Sequence, residues 1–120
     1  MMSNDDIRRF EHVISQCNTK LKTMVPSIAL SKTVIDMASD RRKKLLAECM
    51  LSFTKEGKKG ATAENAARAT KEYATGFKEQ ETQLRTAYEV DFEWRRISIK
   101  LDSARSMLAV ARETMHNFKE

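Results

Sequence analysis

The chain has 120 residues, 41% hydrophobic and 32% charged, with one proline and three glycines. So few helix breakers, and no alternation of apolar and polar residues over a strand length, exclude a sheet protein and predict one all-α domain of long helices. The formal charge of +5 favours an acidic partner such as nucleic acid, and no apolar run reaches the ~18 to 20 residues of a membrane span.

The first predicted helix covers about residues 4–24. Ser3 or Asn4 can cap it, and Asp5 and Asp6 place negative charge at the positive end of the helix dipole. Ile7, Phe10, Ile14, Cys17, Leu21 and Met24 then recur at spacings of three and four, a heptad seam that calls for a neighbouring helix. Pro26 predicts the end of this helix, because a residue before proline is biased out of the helical region. The first ten residues, MMSNDDIRRF, hold no hydrophobic region of signal-peptide length, so the expected location is the cytoplasm. Cys17 and Cys49 both fall on apolar faces, as buried cytoplasmic thiols do.

A second helix is predicted at about 27–55. Its apolar face runs from Ile28 through Val34, Ile35, Ala38, Leu45, Leu46, Cys49 and Met50 to Phe53. Within it lie four consecutive cations, Arg41, Arg42, Lys43 and Lys44, which cover every side of one turn. A glycine-bounded basic turn, residues 56–61, follows, with Gly57 as the C-cap. From Thr62 a long helix is predicted to about residue 118. Gly76 can kink it. Its second half carries another heptad seam: Val90, Trp94, Ile97, Leu101, Ala104, Leu108, Ala111, Met115 and Phe118. Trp94, Ile97, Leu101 and Leu108 are the expected packing residues of a hairpin or bundle, and seams of this length predict a homo-oligomer.

Catalytic chemistry finds little to stand on. His12 and His116 lie at opposite ends without a ligand partner at i+3 or i+4, the cysteines lack C-x-x-C spacing, and GKKGAT lacks the spacing of a phosphate loop. Glu79, Glu81, Glu89, Asp91 and Glu93 alternate with cations as on a solvated helix surface. No enzymatic activity, metal or cofactor is expected.

Charge distribution says more. Between Asp40 and Gly60 seven cations stand against three anions, so +4 of the net +5 lies in about a sixth of the chain. Neutralising closely spaced phosphates and releasing their counterions needs cations clustered in this way. Lys55, Lys58 and Lys59 are the expected contacts, with Arg41, Arg42, Lys43 and Lys44 in support. Amides at the start of the next helix favour anions too. Phe53 offers a stacking face or fills the core, and the cluster as a whole can also be read as a solvated turn.

Two stretches, RRKKLLAECMLSFTKEGKKG and YEVDFEWRRISIKLDSARSMLAVARETMH, carry a resemblance. A helix ends in a basic, aromatic-containing stretch, a glycine-bounded basic turn follows, and a long helix carries Tyr and Trp and late arginines. Over roughly residues 35–116 the chain resembles the UvsY-like recombination mediator proteins of T-even phages. The resemblance implies a ring or barrel of copies that binds single-stranded DNA covered by a single-strand-binding protein and helps load a RecA-like recombinase. It places DNA contact at Lys55, Lys58 and Lys59. A helical protein-binding adaptor, such as a phage-encoded inhibitor of a host complex or an assembly scaffold, is the other reading of the same seams.

Overall fold

A computed structural model describes residues 3–119, with side chains up to residue 117. It contains three helices: α1 (Asn4–Lys55), α2 (Gly60–Arg68) and α3 (Lys71–Lys119). Among the described residues there is no strand, so the fold is all-α. No helix of the described residues is long and apolar enough to cross a membrane.

The start of α1 is set by a reciprocal cap. The Asp6 amide donates to Ser3 Oγ at 3.3 Å, and the Ser3 amide donates to Asp6 Oδ2 at 2.9 Å. Two amides that the helix leaves unpaired are thereby satisfied. The backbone hydrogen bond from Ser3 is the main reason that the Asp6 carboxyl titrates below its ordinary range.

The expected break at Pro26 does not occur, and α1 passes through it. The helices predicted at 4–24 and 27–55 are one. The physical reason is register. Cys17, Leu21, Met24, Ile28 and Ser31 continue the three-four spacing across the proline, and all five are buried or half-buried, whereas Pro26 is exposed. On the solvent side helix carbonyls tilt outward, which gives the ring room. Losing one hydrogen bond there costs about 3 kcal/mol, and the uninterrupted seam offsets it.

The long helix expected from Thr62 is also revised. Its first turn begins at Gly60, and it is interrupted at Ala69 and Thr70. Thr70 Oγ1 donates to the Ala67 carbonyl at 2.6 Å and accepts the Tyr73 amide at 3.2 Å. One hydroxyl thus closes α2 and caps α3. Downstream, α3 is continuous through Gly76. A Cβ there would come within 2.7 Å of Leu45 Cδ1, so glycine admits a close approach of α3 to α1.

The helices form two compact units, one holding Met1–Ile28 and Val90–Glu120, the other Ala29–Glu89. In the first, α1 and α3 run antiparallel, since Lys20 pairs with Glu93 and Glu11 with Arg112. Its core joins Cys17, Ile97 and Leu101, with Val13, Ile14, Leu21 and Met24 packed against them. Ala104, Leu108 and Ala111 extend the buried row along α3, and Trp94 is half-buried. Burying each Leu or Ile contributes about 1.5–3 kcal/mol. The side chain of Phe118, the last member of the predicted seam, lies outside the described residues.

The second unit has a smaller-grained interior. Its buried residues are Ser31, Ala63, Ala67 and Ala87. Polar contacts join its helices: Gln80 Nε2 donates to the Arg41 carbonyl at 3.2 Å, and Arg41 Nη1 donates to Gln83 Oε1 at 3.4 Å. The Tyr73 and Phe77 rings lie 6.0 Å apart on α3.

Candidate nucleic-acid interface

The basic turn is built by the way α1 ends. The Lys58 amide donates to the Phe53 carbonyl and the Gly57 amide to the Thr54 carbonyl, both at 3.0 Å. This pair of bonds is the Schellman arrangement, which requires a left-handed residue at its centre. Gly57 supplies it with φ of 93°. A side chain there would cost roughly 1–2 kcal/mol.

The same geometry fixes a side-chain pair. A Schellman turn brings the residue after the glycine back over the residue five earlier, and here these are Lys58 and Phe53. Lys58 Nζ sits 5.2 Å from the centre of the Phe53 ring. The half-buried phenyl thereby carries an ammonium group on its open side. Neither the core reading nor the stacking reading of Phe53 anticipates that pairing. Its signal in the sequence is the five-residue spacing of Phe53 and Lys58 around a C-cap glycine.

After the turn, Lys59 is the N-cap residue of α2, in an extended conformation with φ of −133°. No side chain caps this helix end, and its first turn holds no acidic residue. Its leading amides are therefore without a carboxylate or hydroxyl acceptor from their own helix. Unpaired amides at the positive end of a helix attract anions. Lys55 is the last residue of α1, and Lys58 and Lys59 immediately precede α2 in the chain, all three exposed. None makes an ion pair with a carboxylate among the described residues.

The four consecutive cations of α1, Arg41 to Lys44, divide into two pairs. Arg41 and Arg42 are half-buried and turn toward α3. Arg41 bonds Gln83. Arg42 pairs with Glu81, and its guanidinium carbon lies 4.6 Å from the centre of the Phe77 ring. Both link α1 to α3 within the second unit. Lys43 and Lys44 are exposed and have no carboxylate partner among the described residues. Lys44 lies eleven residues before Lys55, three helical turns, which returns it to the same face about 16 Å away along the axis.

The remaining chemistry-bearing groups stay apart. Cys17 is buried and Cys49 half-buried, both as free thiols. Among the described residues no three His, Cys, Asp or Glu side chains gather where they could hold a metal ion. No protein-family model, no curated protein and no solved structure matches the chain.

Proposed function

We propose that the chain is a non-enzymatic binder of single-stranded DNA that assists the loading of a RecA-like recombinase, as a mediator in phage-type recombination. The observation that carries the binding role is the uncapped start of α2, preceded in the chain by the exposed Lys55, Lys58 and Lys59. One short exposed segment thus carries both ammonium groups and free amides, and both favour phosphate. Lys44 and Lys43 extend the positive surface along α1. Arg41 and Arg42 are left out of the contact set because their guanidinium groups are engaged within the fold. The recombinase and the single-strand-binding protein enter this reading through the sequence resemblance to the UvsY-like mediators.

The mediator acts as a homo-oligomer. Support comes from Leu30, Met37 and Leu51, exposed by 67%, 45% and 58%. With Lys44 they occupy consecutive heptad positions on the outer face of α1, the spacing that a helix of another copy would cover. Repeating the basic turn around an assembly raises a weak phosphate site to useful avidity.

A titration of fluorescent oligo-dT at two or more salt concentrations tests the binding role. Wild-type affinity falls steeply with salt. Replacing Lys55, Lys58 and Lys59 by alanine lowers the slope of log K against log salt by about 2, at ~0.7 per phosphate contact on a single strand. No binding of the wild type at low salt would sink the proposal.

A further inference from the structure

In the first unit, four basic side chains from two helices line one open groove. His12 and Lys20 come from α1, Arg96 and Lys100 from α3, and the groove between them has a volume of about 570 Å³. Ser15, Gln16 and Thr19 supply hydroxyl and amide donors along its α1 side. One carboxylate, Glu93, answers this charge, and it is shared: Arg96 Nη2 and Lys20 Nζ donate to it at 2.7 and 3.2 Å. Lys100 and His12 have no carboxylate partner among the described residues. The groove therefore keeps a positive surplus.

The groove does not end at the cations. Arg96 and Lys100 also border a second hollow of about 390 Å³, whose apolar lining includes Phe10, Val13, Ile99 and Met107. Ile99 is 69% exposed and Met107 39%. Along one side of the helix pair a polar, cationic stretch thus passes into an apolar one that contains an aromatic ring.

We propose that this groove is a second contact for single-stranded nucleic acid, separate from the basic turn. The inference rests on the DNA-binding reading given above. Lysine, arginine, serine, threonine and glutamine are the side chains that meet phosphate oxygens. They line the cationic stretch, while Phe10, Ile99 and Met107 give unstacked bases an apolar surface with a ring to stack on. An acidic partner helix would need apolar anchors at i, i+3, i+4 and i+7 along its whole seat. The cationic stretch offers only Cys17 and Ile97 as apolar floor, and both are already buried between α1 and α3.

Two measurements on the full chain test it, both with oligo-dT. One is a salt-resolved titration of Lys100→Glu, with Lys100→Ala alongside and circular dichroism to verify folding. The other is photocrosslinking of a 4-thiothymidine oligonucleotide, with the attached peptides mapped by mass spectrometry. Lys100→Glu is expected to weaken binding by about tenfold and to lower the salt slope by about one, and Lys100→Ala to do so by less. Crosslinks are expected at Phe10 or Met107 in the wild type. They persist in the variant that lacks Lys55, Lys58 and Lys59. If both Lys100 variants bind like the wild type and crosslinks fall only between residues 53 and 68, the groove is not a contact and the turn stands alone. If the wild type binds no DNA, both sites are overturned.

Discussion

Glu93 ties the two helices of the first unit together. Its carboxylate accepts two bonds from Arg96 and one from Lys20, a residue 73 positions away. The Arg96 hydrogen bond, followed by that of Lys20, lowers its pKa from 4.5 to about 2. The sign follows from linkage: a carboxyl depressed in the fold stabilises it above the unfolded pKa and loses that contribution as pH falls through the folded one. The relevant window runs from about 4.5 down to about 2. Urea midpoints measured across it should fall with pH in the wild type and fall less in Glu93→Gln. The effect is small because the group is open to solvent. Equal slopes in the two proteins would show that the carboxylate gains nothing from the fold. From the sequence, Glu93 is one of many interleaved charges, and only its i+3 arginine is visible.

Between residue and fold, the continuity of α1 is the revealing element. Proline in a helix interior removes a hydrogen bond and crowds the preceding turn. Because the helix passes through Pro26, Pro26→Ala restores that bond and stabilises the chain by roughly 1–3 kcal/mol, read as a higher urea midpoint. A real break at that point would make the substitution neutral or harmful. The register was legible all along, since Leu21, Met24, Ile28 and Ser31 keep their spacing across the proline. A local rule about one residue concealed it. Thr70 shows the reverse case. Its capping role needs only the usual N-cap chemistry, but an alanine-rich stretch on either side reads as uninterrupted helix.

For the whole molecule, the described core is thin: no large side chain is fully buried. Apolar groups instead remain on outer faces, with Leu30, Met37 and Leu51 in heptad register along α1. Light scattering of the purified chain should therefore report a multiple of the monomer mass. Leu30→Glu with Leu51→Glu should lower that mass, since burying a charge in a helix seam is strongly unfavourable. A monomeric wild type would remove the support for an assembly and for avidity among its turns.

The sequence alone determined that the chain is helical, that its apolar residues form seams, and that most of its net charge lies between Asp40 and Gly60. These follow from local composition and period, which need no knowledge of neighbours. It also located Gly57 as a C-cap, because only a residue tolerant of positive φ ends a helix in this manner. The tertiary structure decided where the charges point. Arg41 and Arg42 face α3 while Lys43 and Lys44 face outward, although all four are adjacent in the chain. It also brought Lys20 to Arg96, and His12 to the same groove as Lys100. The reason is that antiparallel packing joins residues some 75 to 90 positions apart, and no spacing rule along one helix carries that distance.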